Sequence, residues 1–161
     1  MRREELLTEL RSARQELDAL LGELTDAELS EPGATGEWSV RDVLNHITWY
    51  ELEEAALLRQ AGEEASRLWE LPYEARNTAI QEQRRELPAA VVRADFERAH
   101  LEMLEGVERL SDSDLITPGR FPGTSDDRLP WFDIATNSYL HEREHLEMLS
   151  GWLERRRGGT R

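Results

Sequence analysis

Thr136-Asn137-Ser138-Tyr139-Leu140-His141-Glu142-Arg143-Glu144-His145-Leu146-Glu147-Met148-Leu149-Ser150-Gly151-Trp152 is the stretch from which the fold of this chain is best read. At a helical 100° per residue, Ile134, Ser138, His141, His145, Met148, Leu149 and Trp152 fall within an arc of about 100°, with Glu142, Arg143 and Glu147 away from its centre. That pattern predicts an amphipathic helix from Trp131 to Arg157 whose stripe must be covered by other elements. Two imidazoles four residues apart lie on that stripe, stacked one turn above the other.

Working outward, three more long helices supply the cover. Residues 2–23 set Leu6, Leu10, Ala13, Leu17, Leu20, Leu21 and Leu24 at spacings of three and four. Pro32, Gly33 and Gly36 end that helix, and Ser39-Val40-Arg41-Asp42 has the form of a capping box opening the next. The second helix runs from Val40 to Gly62, with a continuation to Leu68 left open. The third spans 89–110 with Val92, Phe96, Ala99, Met103, Val107 and Leu110 on one stripe, Pro88 serving as its first residue. A shorter helix is expected across 73–86, and the residues from 116 to 130, which include Pro118, Gly119, Pro122, Gly123 and Pro130, form a break.

No segment reads as a strand. The expected fold is all-α: a four-helix bundle with long crossover-type connections and a short extra helix between the second and third long helices. The first and third connections, about 15 and 20 residues, exceed those of simple up-down bundles and permit crossovers between parallel neighbours. Residues 1–157 are expected to form one domain and 158–161 a disordered tail.

Composition excludes several functions. The net charge of −14 opposes nucleic-acid binding, which needs cations to displace phosphate counterions. The absence of cysteine leaves no thiolate nucleophile or ligand, so thiol chemistry needs a thiol from outside. All the basic residues are arginine, a pattern we read as GC-rich coding bias. Arg155-Arg156-Arg157 complements a helix C-terminus. No apolar run approaches membrane-spanning length, and the N-terminus reads as a helix without the apolar core of a signal peptide. A cytoplasmic protein is the expectation.

His46 sits on the second helix with Val43, Tyr50, Glu53 and Leu57 within about 60° of it, so it also looks inward. Three of the four histidines therefore face the core from two helices. Buried imidazoles cost free energy unless partnered, and hydrogen-bonded core histidines are the alternative to a metal site. Three imidazoles converging on one point would hold a divalent transition metal and leave a position for water or substrate. Imidazole ligands suit zinc, nickel, copper or iron, so the ligand type does not itself select the metal; zinc or nickel is the expectation carried forward.

Two stretches carry a family resemblance. Gly36-Glu37-Trp38-Ser39-Val40-Arg41-Asp42-Val43-Leu44-Asn45-His46-Ile47, followed by Trp49-Tyr50-Glu51, resembles the second-helix motif of the DinB-like four-helix-bundle superfamily. Thr136 to His145 resembles its last-helix motif. The resemblance implies a bundle of unusual connectivity and a metal held by His46, His141 and His145. Asn77 with Ile80-Gln81-Glu82 is most similar to the branch of colibactin self-protection (ClbS/DfsB-like) proteins, described as cyclopropane hydrolases. Other branches include mycothiol-dependent maleylpyruvate isomerase and bacillithiol transferases, and homodimers are common.

The function implied is a metal-dependent enzyme acting on a small electrophile by hydrolysis or thiol transfer, with a low-molecular-weight thiol as the cosubstrate in the second case. A non-catalytic, metal-stabilised binding bundle is the alternative. Glu53 is the candidate base, and Tyr50 and Asn77 are candidate substrate-binding residues. Asp42 is expected to cap its helix, with orientation of His46 as a second role; His100 is expected at a boundary or surface position.

Overall fold

A computed structural model describes residues 1–59, 66–121 and 127–158. The long helices are α1 (Arg3–Leu21), α3 (Val40–Arg59), α5 (Ala89–Glu108) and α8 (Tyr139–Gly158). Between them lie α2 (Asp26–Leu29), a 3-10 turn (Arg67–Glu70), α4 (Tyr73–Arg84), α6 (Asp112–Ile116) and α7 (Pro130–Asn137). The described residues contain no strand. Residues 60–65 of the open continuation past Arg59, the Pro122-Gly123 stretch and tail residues 159–161 lie outside the described residues, and α3 does not run on to Leu68, since Ser66 caps a separate 3-10 turn over Arg67–Glu70. Gly158, assigned to the tail by sequence, is the last residue of α8.

Arginine–carboxylate pairs give the helix directions. Arg143 reaches Glu9, and Arg157 reaches Glu23, so α8 runs parallel to α1. Leu58 packs beside Gly106 while Val43 and Leu44 share a cluster with Val92, so α3 and α5 are also parallel. The parallel crossover therefore falls on the connection that contains α4, not on the two longer-looking ones. The chain must travel the length of the bundle there, and α4 makes the return trip, with Asn77 against Tyr50 and Arg84 against Asn45. Gly106 permits the close α3–α5 approach, since a Cβ there would lie 3.2 Å from Leu58 Cβ.

The core is divided. One apolar cluster gathers Leu17, Val40, Leu44, Ile47, Phe96 and Leu149. A second gathers Leu6, Leu10, Leu58, Met103, Val107 and Ile134 at the other end. Each fully buried leucine of these sets stabilises the fold by roughly 1.5–3 kcal/mol.

The capping box at the start of α3 forms as the sequence indicates. Ser39 N–H and Oγ–H both donate to Asp42 Oδ2, at 2.9 and 2.7 Å, and Asp42 N–H donates to Ser39 Oγ at 3.2 Å. Before it, the Trp38 carbonyl accepts the N–H groups of Gly33, Ala34 and Thr35, a loop closed by Gly33 and Gly36 at φ 99° and 58°. This turn delivers Trp38 to the rim of the site.

The last helix is not continuous. At Ser138 the backbone leaves helical geometry (φ −135°, ψ −106°), and its hydroxyl donates back to the Ile134 carbonyl. Such back-bonding competes with the helical ladder and bends it. The Ser138 carbonyl then accepts from Glu142 N–H at 2.8 Å, and α8 begins. Glu142, placed off the stripe by a continuous helix, is fully buried; Met148 is half-buried.

Candidate metal centre

His46 comes from the second turn of α3, His141 from the first turn of α8 and His145 from the turn above it. Their Nε2 atoms converge. His141 Nε2 lies 2.8 Å from His46 Nε2 and 3.0 Å from His145 Nε2. One N–H on His141 cannot serve two neighbours, and the remaining lone pairs then face one another. The three Nδ1 atoms are buried and have no hydrogen-bond partner, so no carboxylate or carbonyl orients the rings from their far side.

Burial holds all three rings neutral. It pushes His46 down to about 3, assisted by His145 and Arg76, and His141 down to about 2, assisted by the other two histidines. Burial alone lowers His145 to about 4. At neutral pH the rings thus present unprotonated nitrogen, the form a metal requires, without a proton to expel. The donor set fits a divalent transition metal that accepts imidazole.

Aromatic rings wall the site. Trp38 meets His46 edge-on at 5.5 Å, and the Tyr50 ring lies 5.0 Å from both His46 and His141. The Tyr50 hydroxyl donates to Asn77 Oδ1 at 3.2 Å and accepts from Arg76 Nε at 3.0 Å, so α4 fixes its direction. Burial raises the Tyr50 pKa. Asn77, itself buried, is thereby joined to the centre through Tyr50.

Glu53 occupies a different position from the one its spacing suggests. Its Oε2 accepts from Ser66 N–H and Trp69 Nε1–H, both at 3.0 Å, which fastens the 3-10 turn over α3. Trp69 is thereby held 5.5 Å from the Tyr50 ring. Asp42 is committed to its cap, and His46 Nδ1 has no partner.

Four functional-looking residues escaped the sequence reading. Arg14 is buried at the centre of the bundle, where Nη2 binds Glu51 at 2.7 Å, Nε binds Glu142 at 2.6 Å and Nη1 donates to the Phe96 carbonyl at 2.8 Å. Its guanidinium also lies 3.5 Å from the Phe96 ring centroid. His100, expected near the surface, is buried beside this group because α1 covers the edge of its stripe. Glu51, His100 and Glu142 offer ligand atoms close enough for a cation. Arg14 already pairs with both carboxylates, however, and one further positive charge neutralises the set. A proton suffices: burial and Glu51 push Glu142 up to about 8, and burial raises Glu51 as well. The available signal was Arg14 itself, a charge four residues after Leu10 and three before Leu17, on the apolar stripe.

Four long helices with a parallel crossover, enclosing three convergent histidines between α3 and α8, define a helical-bundle protein with a candidate metal centre. The chain belongs to the DinB superfamily, whose family profile matches residues 9–149. No curated protein matches the sequence. Solved structures share the fold, two of them over nearly the whole chain. One is "Sibling Lethal Factor Precursor - DfsB", with a TM-score of 0.78 and 16% identity over 98% of each chain. The other is an uncharacterised protein from Escherichia coli UTI89, with a TM-score of 0.77 and 16% identity over 97% of this chain and 95% of that one. At such identities the likeness is one of fold. Among the described residues no helix is long and apolar enough to cross a membrane.

Proposed function

We propose that this protein is a metal-dependent enzyme acting on a small electrophilic molecule, by hydrolysis or by transfer of a small thiol. His46, His141 and His145 hold one divalent transition metal, zinc or nickel. The observation that carries the reading is the convergence of three neutral imidazole nitrogens, those of His46 and His145 lying 2.8 and 3.0 Å from His141 Nε2, in a place where hydrogen bonding alone cannot satisfy them. When bound, such an ion polarises a substrate or lowers the pKa of bound water.

The chain's own residues do the rest. Tyr50, whose ring lies beside His46 and His141 and whose hydroxyl is held by Asn77 and Arg76, orients the substrate. Glu53 is the carboxylate for proton transfer, acting through Oε1 while Oε2 holds the 3-10 turn. The walls of Trp38 and Tyr50 limit water around the reacting group. Without cysteine in the chain, the transfer version requires a thiol cosubstrate.

Metal analysis of protein purified without a histidine tag is the first test. The expected result is one metal per chain, falling to near zero in His141→Ala. A panel of electrophiles, with and without added thiols, then separates hydrolysis from transfer. One metal per chain with no turnover of any electrophile would replace the enzyme by a metal-stabilised binding bundle. Absence of metal, with unchanged stability in His141→Ala, would refute the centre itself.

A further inference from the structure

Arg76 is an unusual cation for this protein. Acidic residues outnumber basic ones 34 to 20, and most arginines that face the protein find a carboxylate. Arg84, two turns further along α4, pairs with Asp95 at 2.6 Å. Arg76 makes no ion pair among the described residues. Its Nε donates to the Tyr50 hydroxyl, and its guanidinium carbon lies 4.8 Å from the Trp69 ring centroid, 5.6 Å from Tyr50 and 5.8 Å from Tyr73. The two terminal nitrogens find no acceptor among the described residues, although the group is half-buried and held on three aromatic rings.

A guanidinium is costly to hold this way unless it serves a partner, since its charge is partly desolvated and its planar fork stays unused. The fork matches a carboxylate or phosphate bidentately. Its location gives that match a purpose. The Tyr50 ring lies 5.6 Å from the Arg76 guanidinium carbon and 5.0 Å from both His46 and His141, and its hydroxyl bonds both Arg76 and Asn77. The net charge of −14 repels anions from the surface at large, so an anion would be retained only where a fixed cation faces it.

We propose that Arg76 is the anchor for an anionic group on the substrate, so that the molecule processed at the histidine centre is a small carboxylate or phosphate ester with an apolar body. The anion sits on the Arg76 fork, and the apolar body lies along Tyr50 and Trp69 toward the histidines. This rests on the proposed metal-centred reading for the role of the bound molecule, though the anion site can be detected without it.

The test uses benzoate and its neutral isostere benzamide, titrated against the metal-loaded full chain while tryptophan fluorescence is followed. Metal content is measured on every sample. Inorganic phosphate in a parallel titration separates a carboxylate preference from a general one. Benzoate is expected to saturate, with benzamide binding at least tenfold more weakly. Arg76→Gln should weaken benzoate by roughly ten- to a hundredfold, the loss of a charge-assisted bidentate pair, and leave benzamide and metal content unchanged. Arg76→Lys, which keeps charge but not the fork, should fall between. Equal binding of benzoate and benzamide to wild type, or benzoate binding untouched in Arg76→Gln, overturns the proposal while leaving the metal centre standing. Selective benzoate binding through Arg76 in a protein that takes up no metal overturns the metal centre and upholds the anchor.

Discussion

Arg14→Met is the substitution that most directly tests how the middle of the bundle is held. Arg14 is 5% exposed, and Glu51 and Glu142 are fully buried. Removing the guanidinium deletes two ion pairs of 2.7 and 2.6 Å, a bond to the Phe96 carbonyl and the stacking on the Phe96 ring. Methionine fills much of the volume, so the loss is chiefly electrostatic: two buried carboxyls are left facing each other. Breaking one side of a buried pair costs about 3–5 kcal/mol, about a fifth or more of the ~5–15 kcal/mol that a domain usually has.

The complementary change is Arg14→Met with Glu51→Leu and Glu142→Leu. A buried ionic group replaced as a whole by apolar side chains is commonly neutral or stabilising by roughly 1–4 kcal/mol, because the desolvation cost disappears with the charges. The assay is urea unfolding by circular dichroism at pH 7 with a chelator present, which removes the metal linkage from the comparison. The single variant should lose at least about 3 kcal/mol and the triple variant should recover most of it. A single variant within about 1 kcal/mol of wild type would refute the reasoning, as would a triple variant no more stable than the single.

Two further outcomes are expected. Burial pushes Glu54 up to about 7, so between pH 4.5 and 7 the folded chain keeps a proton that the unfolded chain has lost, and stability falls as pH rises. Glu54→Gln, which can keep the bond from Asn137 Nδ2, should therefore match wild type near pH 4.5 and exceed it by about 3 kcal/mol at pH 7.5 in urea unfolding. Glu53→Gln should lower kcat by about a hundredfold with metal content unchanged if Glu53 transfers a proton; a loss confined to thermal stability would assign it only the fastening of the 3-10 turn.

The helices were legible because each long one carries a stripe of leucine, valine or alanine at unbroken helical spacing, and the Ser39–Asp42 cap marked where α3 starts. The inward position of the three histidines followed from the same geometry. Two short helices were missed although each announces itself: Thr25 with Glu28 and Ser111 with Asp114 form reciprocal capping boxes. The break at Ser138 was harder to read, because serine at one position of a stripe does not reveal whether its hydroxyl will displace the ladder. Glu142 was misplaced because the stripe was drawn through Met148 and not Leu153. On α8 alone, Glu142, His145, Leu149, Trp152 and Leu153 form the buried face, with His141 about 70° from its centre. Loop length only permits a crossover; what decides where it falls is which ends of the helices meet. The sites of Glu53 and Arg76 depend on α4 and the 3-10 turn folding back over α3, a tertiary arrangement with no local signature.

The two polar groups of this bundle share their helices. α3 carries His46 and, five residues on, Glu51; α8 carries His141 and, next to it, Glu142. Arg14 grips Glu51 and Glu142 from α1, and so fixes the rotation of α3 against α8 about their own axes. A histidine ring projects roughly 6–7 Å from its helix axis, so a 15° rotation would carry it about 1.5 Å. Zinc–nitrogen bonds of roughly 2.0–2.1 Å leave no room for such an error. Arg14 touches none of the three histidines, yet its loss should loosen the geometry they require. Arg14→Met is thus expected to weaken metal binding at least tenfold in chelator competition, and the triple variant, lacking the grip although refolded, should stay weak. Recovery of metal affinity in the triple variant would show that packing alone sets the rotation, and would leave the buried charges without a part in shaping the centre.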